Sequence, residues 1–171
     1  MTLILAIDAA WTDTEPSGVA LLTASGPRWT CLCVAPSYNA FSDYARGTHI
    51  DWATGNFRGS KPDIHELLRA ARTIGGSDDD LVAVDMPITT VPSRPTGRRQ
   101  RDLGCLWRAR MLRSFTKRYE DALDALVCGW VAARFVQGNS MPYGGATAAV
   151  WVPKADGPST TLPGLLRDVS V

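Results

Sequence analysis

The stretch TLILAIDAA, residues 2–10, is apolar at almost every position until Asp8 interrupts it. A nearly continuous run rich in Leu and Ile is the pattern of a central strand covered on both faces, whereas a strand with one wet face alternates. A second run of the same kind, LVAVDM at residues 81–86, is interrupted by Asp85 and closed by Pro87. These two strands frame the rest of the reading. Between them, GVALLT (residues 18–23) and RWTCLCV (residues 28–34) read as strands joined by the turns EPSG (15–18) and SGP (25–27). Short turns imply an antiparallel meander of the first three strands. The segment PDIHELLRAARTI, residues 62–74, reads as a helix with Pro in its first turn, Asp63 and Glu66 near its positive end, and Gly75 and Gly76 as its stop. Ile64, Leu67, Leu68 and Ala71 are its expected inward face. The order β-β-β-α-β predicts an α/β fold with a mixed sheet, in which the helix is a crossover that returns the fourth strand parallel to the first.

Around this frame, residues 35–60 are aromatic and glycine-containing and are expected to form a loop with one helical turn. Its aromatic residues, Tyr38 to Phe57, either fill a small core of their own, the commoner case, or stack bases. Residues 88–104 read as a loop rich in Pro, Gly and Arg. Residues 106–118 are a possible helix with no evident stop before YEDALDALVCGWVAARFVQ (residues 119–137), a strong helix apolar on nearly all sides and therefore expected in the core, capped by Gly138 and Asn139. Trp107, Trp130 and Trp151 read as packing residues, and Lys61 and Lys154 have no special context. ATAAVWV (residues 146–152) is expected as a short edge strand. Residues 1–153 read as one domain and 154–171 as a weakly ordered tail.

The chain has 171 residues, 45% of them hydrophobic, enough to bury a core. Lys and Arg number 18 and Asp and Glu 17, for a net charge of +1, which excludes a globally basic coat. The charge is nonetheless segregated: nine basic residues between Arg94 and Arg118 face only Asp102, so that window carries +8 and the remainder −7. Such a segment is either a solvated surface or a phosphate-contacting one for nucleic acid. The longest apolar runs are far too short to cross a membrane and the N-terminus lacks the pattern of a signal peptide, so a soluble, cytoplasmic protein is expected. Cys31 and Cys33 alternate on a strand and are expected on one face; Cys105 and Cys128 are isolated. With two histidines and no C-x-x-C pair, a zinc site is not expected.

An ionised carboxylate on an apolar strand is costly without a partner. Parallel neighbours ending in Asp8 and Asp85 would bring both to the carboxyl edge of the sheet, where sites of α/β proteins form. Asp121 and Asp124, three apart, share one face of the last helix, with Glu120 before them. Asp121 alone is accounted for by the helix dipole; Asp124 sits where the apolar run has begun. Together, Asp8, Asp85, Asp121 and Asp124 are candidates for a cluster binding Mg²⁺ or Mn²⁺, hard ions that prefer carboxylate oxygen and that serve phosphodiester hydrolysis in pairs.

An Asp on strand one, an acid ending strand four and D-x-x-D in the closing helix resemble the ribonuclease H-like superfamily, and residues 121–125 are most similar to the closing helix of RuvC-type resolvases. More closely, IDAAWT…PSGVALL (residues 7–22), VAVDMPIT (82–89), TGRR (96–99), YEDALDALVCGWVA (119–132) and PYGG…AAVWVP (142–153) resemble the DUF429 family of predicted ribonuclease H-like nucleases. The resemblance implies a two-metal carboxylate nuclease in which Asp8, Asp85, Asp121 and Asp124 are catalytic metal ligands, Glu120 is a weaker ligand, and Arg98 and Arg99, with Thr12, contact substrate. The segment from Met86 to Tyr119 is shorter than in longer relatives, so the fifth strand of a complete sheet is either missing or supplied by residues 148–152. A sheet left open there has an edge through which two copies could pair. Two other functions compete: a catalytically degenerate binding module, and an actin-like ATP-dependent phosphotransferase. The latter wants a Gly/Thr/Ser-rich phosphate loop after strand one, where AAWT (residues 9–12) offers only Thr12.

Overall fold

A computed structural model describes residues 1–10, 12–77, 80–85, 106–144 and 149–154, with the backbone alone described for 106–118, 144 and 149. Three strands, β1 (Thr2–Asp8), β2 (Gly18–Ser25) and β3 (Arg28–Ala35), form the expected antiparallel meander. Strand β4 (Leu81–Asp85) joins it parallel to β1, giving the order β3-β2-β1-β4. Asp80 fixes where that pairing begins: its Oδ2 accepts the Leu3 N–H at 2.8 Å and its own N–H donates to the Leu3 carbonyl at 3.0 Å.

Helices cover both faces of the sheet. Leu3, Leu5, Ile7, Val19 and Leu21 pack under α1 (Tyr38–Ala45) and α2 (Ile64–Gly75), against Tyr38, Phe41, Leu67 and Ala71. The alternate residues Ile4, Ala6, Ala20, Leu22 and Ala24 pack under α3 (Leu106–Val136), against Ala125, Ala132 and Ala133. Strands β1 and β2 are thus covered on both sides, as their unbroken apolar runs require.

Several expectations are corrected. The single helical turn expected in residues 35–60 is a helix of eight residues, α1; buried Ser37 caps it by accepting the Ala40 N–H at 3.1 Å. Its aromatic residues Tyr38 and Phe41 are buried, and Trp52 and Phe57 pack against the same core. In α2, Asp63 is the N-cap, accepting from the His65 and Glu66 N–H groups, so Pro62 stands just outside the helix. Ile64 is exposed and Ala70 takes its place on the inward face. The two helices expected at 106–118 and 119–137 are one of 31 residues, because no residue between them stops it. Its C-terminus is capped as expected: Gly138 adopts φ 72°, Asn139 N–H donates to the Arg134 carbonyl and Gly138 N–H to that of Phe135. Lys154, to which no role was given, donates from Nζ to the Gly138 carbonyl at 2.9 Å.

The outer face of α3 is not in the core: Leu123, Val127 and Trp130 are exposed. Trp151, also read as packing, lies edge-on against Phe135 at 4.6 Å and remains partly exposed. Residues 148–152 do not supply a fifth strand. Strands β5 (Ser140–Gly144) and β6 (Ala149–Pro153) instead pair with each other as a separate antiparallel hairpin against α3. Among the described residues β4 is therefore the edge of the main sheet. Val82 and Val84, which share the face of Leu5 and Ile7, are 40% and 48% exposed, since α1 and α2 do not extend over them.

Cys31 and Cys33 do not share a face. A bulge in β3 sets Cys33 opposite Leu21 and Cys31 opposite Leu22, leaving Leu32 as the extra residue. Cys33 joins the α1/α2 core, while Cys31 takes the register of a residue on the α3 side. Residues 155–171, and with them most of the expected tail, lie outside the described residues.

Candidate functional site

β1 and β4 both end in aspartate, and the parallel register makes Asp8 and Asp85 direct partners. Neighbouring strands run about 4.8 Å apart. Side chains on a strand alternate, so Asp8 follows Ile4 and Ala6, and Asp85 follows Leu81 and Ala83, onto the face covered by α3. The two carboxylates therefore stand side by side at the carboxyl edge of the sheet. Asp8 is half-buried and Asp85 exposed. The Ala9 N–H continues the pairing to the Asp85 carbonyl at 3.0 Å, and buried Ser17 closes the following loop by accepting the Ala10 N–H.

Helix α3 reaches this corner through Gly18, the partner of Asp8 on β2. A β-carbon built at Gly18 would lie 1.9 Å from the Asp121 carbonyl oxygen. The helix backbone thus rests directly on the strand, and glycine at 18 is what permits it. Asp121 is buried, 6% exposed. Asp124 and Glu120, on the same turn, are exposed. The structure thus brings Asp8, Asp85 and Asp121 into one corner and leaves Asp124 and Glu120 at its solvent margin. Among the described residues, no three His, Cys, Asp or Glu side chains converge closely enough to enclose a metal ion.

A fourth participant, Cys128, was read as isolated. It lies on α3 seven residues, or two helical turns, beyond Asp121 and makes contact with the backbone of Ile7 and Asp85. Burial pushes its thiol up to about 11, and the charges of Asp85 and, more weakly, Asp8 add to the effect, outweighing the backbone contacts that lower it. The sequence signal that would have placed it is its spacing of four from Asp124 and seven from Asp121 along one helix face. Aromatic packing holds the same turn of α3: Tyr119 stacks on Trp52 with centroids 5.2 Å apart, and Trp52 tilts against Phe57 at 6.3 Å.

Three candidates remain, Thr12, Arg98 and Arg99. Thr12 is exposed and its hydroxyl shares a 3.0 Å hydrogen bond with that of Thr14, inside its own turn. Arg98 and Arg99 lie outside the described residues, as does the basic segment up to residue 105; its remainder forms the first part of α3. Among the described residues, no helix is long and apolar enough to cross a membrane. Compared with family models, curated proteins and solved structures, the chain finds no match in any of the three.

Proposed function

We propose that this chain is a ribonuclease H-like, divalent-metal-dependent nuclease whose ion seats on Asp8 and Asp85. The observation that carries the reading is the pairing of these two carboxylates at the ends of adjacent parallel strands, on the face that α3 covers. It agrees in kind with what the resemblance to the DUF429 family implies for the same residues. The donors also fit the ion. Mg²⁺ commonly binds through one or two carboxylates, keeping several waters and taking the rest of its shell from substrate phosphate, so a protein cage of three or more side chains is not required.

When bound at such a pair, a divalent ion lowers the pKa of water and offsets charge on a phosphoryl oxygen. The chain's own part is positional. Asp8 is held by its pairing on both sides, to Gly18 and to Asp85. Asp121, buried where α3 meets β2, sits at the corner, and its backbone fixes the approach of α3. Asp124 and Glu120, exposed on the next faces of the helix, are the residues through which a second ion would be held. Arg98, Arg99 and the basic segment would carry substrate phosphates to this edge.

The test is cleavage of end-labelled single strands, duplexes and four-way junctions, of DNA and RNA, in Mg²⁺ or Mn²⁺. The expected result is metal-dependent cleavage that Asp8→Asn and Asp85→Asn each reduce on the order of 10²-fold or more, while Thr12→Ala leaves it within a few-fold. Absence of cleavage on every substrate contradicts the proposal. The second reading is a binding module without catalysis, favoured by the lack of a third converging donor among the described residues. Its mark is a melting temperature that neither ion raises.

A further inference from the structure

The continuity of α3 changes what the basic segment can do. Arg110, Arg113, Lys117, Asp121, Asp124 and Cys128 follow one another at spacings of three, four, four, three and four, and one unbroken helix carries them all. Such spacings return to the same face of a helix. The row that meets the Asp8–Asp85 corner at Asp121 and Cys128 therefore continues, toward the helix N-terminus, through the positions of Lys117, Arg113 and Arg110. Arg108 and Arg118 fall off it. At a rise of about 1.5 Å per residue, Arg110 to Lys117 spans about 10 Å and Lys117 to Asp121 a further ~6 Å. Helix α3 rests on β2 at Asp121 and reaches the other end of the sheet at Arg134, so the turns that carry the basic positions lead away from the carboxyl edge.

Folding alone does not ask for this arrangement. No Asp or Glu lies within four residues of Arg110 or Arg113 in the chain. These two arginines are three apart, and Arg113 and Lys117 are four apart, so like charges stand on neighbouring turns. The first turn of α3 holds no acid, although a helix N-terminus favours negative charge. A polyanion lying along the row offsets each of these costs.

We infer that this row is the track on which one strand of nucleic acid enters the site: phosphodiester oxygens of successive nucleotides accept from Arg110, Arg113 and Lys117, and the strand runs on to the Asp8–Asp85 corner. Delivery to the corner rests on the nuclease reading; binding along the row does not. A span of about 10 Å corresponds to about three phosphates at roughly 3.4 Å of rise each along one strand. Phosphate contacts carry no base information, so the row recognises backbone and not sequence.

The probes are short fluorescent single strands of DNA and of RNA, each in one sequence and its scramble, titrated into the full chain in buffer with EDTA, where no metal-dependent cleavage occurs. Binding should have Kd on the order of 1–100 μM at physiological salt and be indifferent to the scramble, and the tighter of the two strands identifies the sugar. Arg110→Gln and Arg113→Gln should each weaken it roughly three- to tenfold and lower the slope of log Kd against log salt by about 0.7. Arg113→Lys, which keeps the charge, should stay within about twofold, and Arg108→Gln and Arg118→Gln should cost clearly less than the two on the row. Because Gln suits a helix and each change removes a like-charge pair, both row variants should melt no lower than the wild-type chain without nucleic acid. Absence of binding, dependence on sequence, equal losses at all four arginines, or a lower melting temperature in the row variants (the mark of arginines held by the fold itself) overturns the inference. Loss of the track with metal-dependent cleavage intact leaves the nuclease reading standing; binding along the row with no substrate cleaved removes that reading alone.

Discussion

Adding one methyl group at Gly18 would set a carbon 1.9 Å from the Asp121 carbonyl oxygen and 2.9 Å from the Ala122 nitrogen. Both obstacles are backbone, so neither can rotate aside, and α3 must lift from the sheet. Gly18→Ala should therefore cost about 3 kcal/mol or more, at the upper end of overpacking penalties, measurable as a fall in the urea midpoint with little change in slope. At Cys33 the argument is electrostatic. Burial raises its thiol to about 12 from an ordinary 9.0, and the neighbouring Cys31 adds to the shift. A group whose folded pKa is raised gives stability that is full below the unfolded pKa and is lost as pH rises through the folded one. Stability should hold up to about pH 9 and fall between pH 9 and 12, and Cys33→Ala should flatten that fall in melts recorded across the range. The residue scale is also where the sequence was most legible for the site. Asp8 and Asp85 identify themselves because each interrupts an apolar strand. Cys128 did not, because a cysteine in an apolar helix looks like any small packing residue until the strands beneath it are known.

The element scale turns on caps and on what lies outside each helix. Ser37 bonds the Ala40 N–H from a buried position, so Ser37→Ala should destabilise by about 1 kcal/mol, seen as a lower melting temperature without loss of the Asp8–Asp85 corner. Of the helix it caps only one turn is legible and its place is not, because YNAFSDYA (residues 38–45) has no sustained period; the cap residue after Pro36 is the available signal. The strands were read almost to their ends, since period and turn residues agree there. The bulge at Leu32 escaped, because a run of alternating residues gives no sign of an extra one. Helix α3 has apolar residues all round, which sequence alone equates with burial. Its outer stripe, Leu123, Val127 and Trp130, is exposed, because apolarity records what a helix can bury and not what its neighbours cover. β5 carries no strand signal of its own, since Pro142 and Gly144 interrupt its five residues, and the hairpin that keeps residues 149–153 out of the main sheet is hidden with it.

At the scale of the whole molecule, two chemically different ends follow from one sheet. Strands β1 and β4 run in one direction and deliver Asp8 and Asp85 to their carboxyl edge. Helix α3 runs back across the sheet from Asp121, at that edge, to Arg134, beside the β2–β3 turn at the other. The segregation of charge in the sequence, +8 between Arg94 and Arg118 against −7 elsewhere, thus has a structural counterpart in the acidic corner. The mixed topology was legible from the order of elements and the length of the crossover. The third dimension of the site was not, because nothing in the spacing of Asp8, Asp85 and Asp121 along the chain states how closely Gly18 lets a helix approach. The central claim is that this corner seats a divalent ion. Its most direct test is anomalous diffraction from a crystal soaked in Mn²⁺. The account predicts a peak beside the Asp8 and Asp85 carboxylates, lost in Asp85→Asn; a crystal at millimolar Mn²⁺ with no peak at that edge would contradict it.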